Sequence, residues 1–230
     1  MKKQRQRATM ASSEPTGAKP IIVVLTLDKP EFFEDMYGPF IDLLKTKAEF
    51  QQANTPEDAR AAFNIHPKPA AILSADESLT VSTRISLVHD AVSYVRSGGI
   101  LVFMGLFSGF TQYPNFKTLF SRFDLPWATK SYHRSTFKLN REMTHFNKSG
   151  LATSYSQKAV YLANVAYDDA VYLPDDDSVV ESNVFGSRPV SDPTETPAAF
   201  AKVGEGNVGY LGDVNNEDAT TPVLLGMCGL

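Results

Sequence analysis

The segment "GGILVFMGLFSGF", residues 98–110, decides the fold class of this chain. Its paired glycines end a helix, and the apolar run after them is typical of a strand that is buried on both faces. The preceding segment predicts that helix, because apolar residues recur at helical spacing at Val81, Ile85, Val88, Val92 and Val95. Ser78 or Thr80 can cap its start. A helix that leads into a buried strand and a sharp turn indicates an α/β protein.

The same alternation runs through the first half of the chain. Residues 21–27, 48–55 and 70–76 are predicted strands, and the predicted helices between them cover residues 31–46 and 56–64. Short connections join these elements. Four strands that alternate with helices in this way predict a doubly wound, mostly parallel sheet with helices on both faces.

Glycine, proline and threonine residues predict further details of the first two helices. Gly38 and Pro39 lie within the first helix, and we expect them to kink or restart it. Thr55 precedes Pro56 at the start of the second helix. A threonine side chain can cap a helix, and proline fits its first position, so this pair predicts where the second helix begins.

The second half of the chain is less regular. Residues 127–140 are predicted to form a strand pair or an excursion over the sheet, and residues 159–165 a buried strand. The segments "AAFAKV" and "VGYLGDV" flank a turn at residues 204–207 and predict a C-terminal β-hairpin. Residues 220–230 predict a final helix that packs on the sheet.

The N-terminal segment differs from the rest in composition. Residues 1–19 are polar and rich in serine, glycine and proline, and they begin with the basic run "MKKQRQR". A segment of this kind cannot bury enough apolar surface to fold. We therefore expect residues 1–19 to be a disordered tail and residues 20–230 to form a single domain.

Charge and composition narrow the class of partner. The chain of 230 residues carries a net charge of −4, and its isoelectric point is about 5.6. It therefore lacks the excess of positive charge that is typical of proteins that bind nucleic acid or anionic membranes. No apolar run approaches the length of about 18 residues that a membrane span requires. We expect a soluble protein, cytoplasmic or else nuclear. Its partner would be a small-molecule ligand, another protein, or a second copy paired through the sheet edge near the hairpin.

Cysteine and histidine positions argue against a metal or cofactor. Cys228 is the one cysteine of the chain, so an intrachain disulfide or a cysteine-based zinc site cannot form. The histidines His66, His89, His133 and His145 lack the spacings typical of metal ligands. His89 is expected to face solvent, because it lies off the apolar face of its helix. The sequence thus predicts no metal site and no cofactor.

Polar groups follow several of the predicted strands. In doubly wound sheets, ligands bind beyond the carboxyl ends of the strands, near the point where strand order reverses. Side chains after the first, third and fourth strands should therefore converge on one cleft. We predict that this pocket is lined by Asp28, Asp76, Gly105, Leu106, Phe107 and Tyr132.

Three residues are candidates for chemistry at that cleft. Ser108 follows the fourth strand, where a nucleophile elbow would present a reactive side chain, although the pattern G-x-x-S-G places the serine one residue later than G-x-S-x-G. It is either a nucleophile or a serine in a glycine-rich loop. His133 is either the base that activates Ser108 or an exposed histidine. Asp213 is predicted either to orient His133 or to cap the final helix.

The final hairpin carries a family resemblance. It follows the pattern P-x-x-F-x-x-x-G-x-G-x-V-x-Y-x-G-D, formed by Pro197, Phe200, Gly204, Gly206, Val208, Tyr210, Gly212 and Asp213. This resembles the last hairpin of ThuA-like proteins within the class I glutamine amidotransferase-like superfamily. The segment from Val88 to Val102 is similar to the entry to that superfamily's functional turn. The string "VYLPDDDSVVESNVF" resembles fungal amidotransferase-like proteins of unassigned activity. The resemblance implies a flavodoxin-like fold over residues 20–230.

The chain departs from this superfamily where its chemistry resides. Amidotransferases place a cysteine at the elbow, whereas the segment Phe103–Phe107 holds no ionisable group. The glycine-histidine pair of the final hairpin is replaced by Gly212 and Asp213. We therefore expect a domain without glutaminase activity that serves as a binding or scaffold protein. The alternative is a serine hydrolase of small esters or peptides that uses Ser108.

Overall fold

Six strands form the central sheet of the computed structural model, which describes residues 18–144, 147–182, 184 and 186–230. They are β1 (Ile21–Leu25), β2 (Glu49–Ala53), β3 (Ala71–Ser74), β4 (Ile100–Phe103), β10 (Ala198–Val203) and β11 (Gly206–Leu211). Their order across the sheet is β10-β11-β4-β3-β1-β2, and every neighbouring pair is parallel except the hairpin β10–β11. The order 2-1-3-4 is that of flavodoxin-like sheets, with the switch point between β1 and β3. The predicted fold class is confirmed.

Helices cover both faces of this sheet. They are α1 (Phe33–Lys47), α2 (Pro56–Asn64), α3 (Ile85–Arg96), α4 (Phe107–Phe110), α5 (Tyr113–Phe120) and α6 (Thr220–Met227). Side chains from α1 and α6 share one buried cluster with Ile22 and Val24, while α2, α3 and α5 share another with Val23 and Leu25. Successive strand residues point to opposite faces, so β1 supplies both clusters. No helix of the described residues is long and apolar enough to cross a membrane.

The structure corrects two of the helix predictions. α1 runs through Gly38 and Pro39 as one helix and does not restart there. α3 begins only at Ile85, because the residues before it form two short 3₁₀ turns, the first of them capped by the Asp76 carboxylate. The predicted caps Ser78 and Thr80 therefore do not start α3. Val81 lies outside the helix, and Ile85 is 41% exposed. The buried face is Leu87, Val88, Ala91, Tyr94 and Val95.

Other local predictions are confirmed. The Thr55 side chain caps α2, since its Oγ1 accepts a hydrogen bond from the backbone N–H of Asp58 at 3.1 Å. The final helix packs on the sheet through Val223, Leu224 and Met227, and His89 is exposed. The predicted tail falls almost wholly outside the described residues, and so does His145. The single-domain boundary at residue 20 stays a prediction.

An excursion between β4 and β10 forms a second, antiparallel sheet. Its strands are β5 (Ala128–Leu139), β6 (Ser154–Ala163) and β7 (Tyr172–Leu173), in the order β6-β5-β7. A separate ribbon pairs β8 (Val179–Val180) with β9 (Arg188–Pro189). Of the two alternatives for residues 127–140, the excursion is correct, because β5 is one continuous strand.

The excursion is attached to the carboxyl end of β11. The Val160 N–H donates to the Gly212 carbonyl at 3.0 Å, and the Tyr210 hydroxyl donates to the Val160 carbonyl at 2.8 Å. Two residues along, the Val214 N–H donates to the Lys158 carbonyl at 2.9 Å. β6 therefore covers the edge of the central sheet at which the ligand cleft of this fold lies.

Candidate functional site

The turn after β4 is the place where an elbow nucleophile would stand. Gly105 adopts φ +64°, in the left-handed region that favours glycine. A Cβ added there would lie 3.2 Å from the Ala75 carbonyl oxygen and 3.5 Å from the Tyr37 ring. The Leu106 N–H also donates to that carbonyl at 2.9 Å and holds the turn close to β3. The residue with left-handed backbone in this strand-to-helix turn is therefore a glycine, which has no side chain to act as a nucleophile.

Ser108 lies beyond this turn, in the short helix α4. Its side chain is buried, with 1% exposure. The Oγ atom has no hydrogen-bond partner among the described residues. A serine nucleophile needs a base within hydrogen-bonding reach. The catalytic role of Ser108 stays a prediction, and no base among the described residues is hydrogen-bonded to its Oγ.

His133 lies on β5 and faces the interior between the two sheets. Its ring stacks on Tyr161, with centroids 4.3 Å apart and an interplanar angle of 17°. Its Nε2 lies 3.3 Å from Glu195 Oε1 but does not reach hydrogen-bonding geometry. Burial, and then the charge of Arg188, lowers the pKa of His133, while burial raises the pKa of Glu195. Burial therefore favours the neutral form of each group.

Glu195 is a site residue that the sequence did not reveal. It lies in the segment before β10, with 3% exposure, and its Oε2 accepts a hydrogen bond from Ser131 Oγ at 2.6 Å. A lone glutamate in a polar segment gives no signal of burial. The structure places the Glu195 carboxylate beside His133. The sequence had suggested Asp213 as the carboxylate that orients His133.

Asp213 organises the loop that leads into α6. Its Oδ1 accepts from the Asn215 N–H at 2.9 Å, and its Oδ2 accepts from the Glu217 N–H at 2.7 Å and the Thr220 hydroxyl at 2.5 Å. Thr220 is the first residue of α6. Burial raises the pKa of Asp213 despite these donors. Asp213 thus holds the loop before α6 without capping the helix, whose N-cap position, Ala219, has no side-chain cap hydrogen bond. No hydrogen bond joins the described atoms of Asp213 to His133.

Asp28 and Asp76 meet at the switch point between β1 and β3. The backbone N–H of Asp28 donates to Asp76 Oδ2 at 2.8 Å, and the Asp28 carboxylate receives two N–H groups of Arg84, one of them at 2.8 Å. Arg84, which the sequence did not single out, thereby has its pKa raised by Asp28. Asp76 is fully buried, and burial raises its pKa. Both carboxylates of the predicted pocket thus accept hydrogen bonds from the protein itself, Asp28 from Arg84 and Asp76 from a backbone N–H group.

The remaining predicted pocket residues separate into two groups. Gly105, Leu106 and Phe107 are buried next to the turn, and Phe107 belongs to an aromatic cluster of the core. Tyr132, by contrast, is 48% exposed on the outer face of β5. Tyr132 and His133 are neighbours along the strand, so their side chains point to opposite faces of the second sheet.

Comparison with known proteins agrees with the geometry at the level of fold. The class that the sheet order and the glycine turn define is a flavodoxin-like α/β protein without an elbow side chain. Among solved structures, a ThuA-like protein from Bacteroides uniformis shares 11% identity over 96% of this chain and 94% of its own, with a TM-score of 0.56. A ThuA-like protein from Parabacteroides merdae shares 10% identity over 93% of this chain and 89% of its own, also at 0.56.

A larger enzyme contains a similar unit. A β-galactosidase from Bacillus circulans sp. alkalophilus shares 12% identity with 92% of this chain, which spans only 31% of that enzyme, at a TM-score of 0.56. No family model and no curated protein sequence matches the chain. At such identities the likeness establishes the shared fold, and function has to be argued from the site.

Proposed function

We propose that this protein is a binding protein of the amidotransferase-like fold that does not use elbow chemistry. The observation that carries the proposal is Gly105 at the strained turn, where the fold would present a nucleophile. Ser108 is buried without a base, and the Asp28 and Asp76 carboxylates are held by Arg84 and by backbone N–H groups. The described elbow residues are therefore buried and present no reactive atom to a substrate.

Active-site labelling tests this proposal against the hydrolase alternative. The folded chain is treated with a fluorophosphonate probe, and intact mass is measured alongside glutaminase and esterase activity. We expect no adduct and no activity above the buffer rate, because Ser108 Oγ lacks a base to deprotonate it. A serine hydrolase treated in parallel shows that the probe is active. An adduct on Ser108 that disappears in the variant Ser108→Ala would overturn the proposal.

Cys228 provides an independent check that thiol chemistry is absent. It is buried, and burial raises the pKa of its thiol to about 12. Because the thiolate is the reactive form, we expect the native protein to react with a disulfide reagent at least about a hundredfold more slowly than the urea-unfolded chain. Equal rates in the two states would contradict the burial of this thiol. A lone inert thiol also supports the cytoplasmic location expected from the sequence.

Installing a nucleophile at the turn should damage the fold rather than create an enzyme. Replacing Gly105 with serine puts a Cβ into the left-handed region and 3.2 Å from the Ala75 carbonyl. We expect the free energy of unfolding to fall by about 2 kcal/mol, as measured by urea denaturation, without a gain of esterase activity. Gly186→Ala is the control, because nothing lies within 4 Å of a Cβ at that exposed glycine. Unchanged stability of Gly105→Ser would refute the argument from strain.

A further inference from the structure

A cleft of about 860 Å³ is lined by residues of β5, β6 and the segment around β8 and β9, and none of its described lining residues belongs to the elbow. We call it the basic cleft; its charged and aromatic lining residues are Tyr132, His133, Arg134, Lys158, Glu181 and Arg188. A cleft of this volume falls within the range of small-molecule sites, which is about 300–1,000 Å³. Arg134 belongs to β5, Lys158 to β6 and Arg188 to β9, so three separate elements supply its cations.

Two like charges face each other across the strands of this cleft. Arg134 on β5 is the direct cross-strand partner of Lys158 on β6. Like charges in this position destabilise a sheet unless an anion offsets them. Arg134 forms an ion pair with Glu217, but Lys158 has no carboxylate partner among the described residues. The Lys158 ammonium instead lies over the Tyr132 ring, with its Nζ 5.2 Å from the ring centroid.

Arg188 is a second unpaired cation in the basic cleft. No ion pair or hydrogen bond from its side chain involves another described residue, although its charge reaches His133 closely enough to lower the pKa of that imidazole. Among the described lining residues the one carboxylate is that of Glu181, which accepts a hydrogen bond from Ser156 Oγ at 3.1 Å. Two uncompensated cations in a concave site are unusual for a chain whose net charge is −4, and they concentrate positive potential there.

We propose that the basic cleft binds a small molecule through a compact oxyanion, a phosphate or a carboxylate, held between Lys158 and Arg188. The Arg188 guanidinium offers planar paired donors, and the Lys158 ammonium offers a point charge beside them. The Tyr132 ring forms an apolar wall for the rest of the ligand. This inference deepens the proposed binding role by naming a ligand class and a place on the excursion, and it uses no residue of the elbow.

Calorimetric titration of the full chain tests the proposal with two probes, inorganic phosphate and malonate. We expect at least one of them to bind the native protein. Lys158→Ala and Arg188→Ala should each weaken that binding about tenfold or more, because a hydrogen bond to a charged group contributes about 1.5–3 kcal/mol. The charge-matched control is Lys117→Ala, an exposed position on α5, which should leave the affinity unchanged. The probe that binds more tightly identifies phosphate or carboxylate as the recognised group.

A gain-of-affinity variant keeps the test valid even if a cation variant folds poorly. Glu181→Gln removes the carboxylate that lines the cleft, so the retained probe should bind up to about fivefold more tightly at low ionic strength. Binding of neither probe, or equal affinities across Lys158→Ala, Arg188→Ala and Lys117→Ala, overturns the proposal. Such a failure would leave the labelling result at Ser108 unaffected, so the two proposals are tested separately.

Discussion

Replacing Gly212 with alanine is expected to lower the free energy of unfolding by at least about 3 kcal/mol. A Cβ at this position would lie 2.1 Å from the Val160 carbonyl oxygen and 2.9 Å from the Tyr210 hydroxyl oxygen. The same carbonyl accepts the hydrogen bond from Tyr210, and the Gly212 carbonyl accepts one from the Val160 N–H. Backbone cannot yield as a flexible side chain can, so β6 must move away from β11.

Urea denaturation with a matched alanine variant measures this effect. Gly38→Ala is the control, because nothing lies within 4 Å of a Cβ at that position of α1. In a helix interior, alanine is more favourable than glycine by about 0.5–1 kcal/mol, so Gly38→Ala should be stabilising. If both variants unfolded at the same urea concentration as the native chain, the close docking of β6 on β11 would be wrong.

Replacing Asp213 with alanine is expected to cost about 3 kcal/mol of stability. Its carboxylate accepts hydrogen bonds from the N–H groups of Asn215 and Glu217 and from the hydroxyl of Thr220. Without it, these donors lose their partner in a site where Asp213 itself is only 2% exposed. The Thr220 hydroxyl is the buried donor, and leaving it unsatisfied costs about 1–3 kcal/mol. The two part-buried N–H groups add to this cost, and the burial that raises the pKa of Asp213 offsets part of the total.

Asp218→Ala is the neighbouring control for this prediction. Asp218 lies in the same loop but is exposed, so its loss should change stability by less than about 0.5 kcal/mol. A structural role for Asp213 predicts that its variant shows a lower urea midpoint. An Asp213→Ala variant as stable as Asp218→Ala would show that this carboxylate does not organise the loop before α6.

The elements that were predicted correctly depend on contacts close in sequence. Thr55 caps α2 through the N–H of Asp58, three residues away. The predicted hairpin forms as well, with its turn at residues 204–205, because Gly206 and Asn207 already pair with β10. The meeting of Asp28 and Asp76 was predicted as well, because parallel strands bring their carboxyl ends to one edge. The alternation of helices and strands was therefore enough to predict both the fold class and the edge of the central sheet at which the cleft lies.

The predictions that failed involve partners that sequence spacing does not connect. The start of α3 was misplaced because Asp76 caps a 3₁₀ turn and Arg84 binds Asp28, a residue of a different loop. His133 stacks on Tyr161 and lies 3.3 Å from Glu195, a neighbour that the sequence did not suggest. Each partner lies on a segment whose path depends on packing rather than on local propensity.

By itself, the sequence determined a doubly wound sheet, its C-terminal hairpin and the absence of an elbow cysteine. These features follow from the spacing of apolar residues, from turn residues and from residue identity, all of which are local properties of the chain. Only the tertiary structure decided that the strained turn position belongs to Gly105, that Asp213 serves the loop before α6, and that Lys158 and Arg188 share a cleft. The reason is physical. The excursion places its side chains by docking on β11, and neither periodicity nor propensity encodes that contact between distant segments.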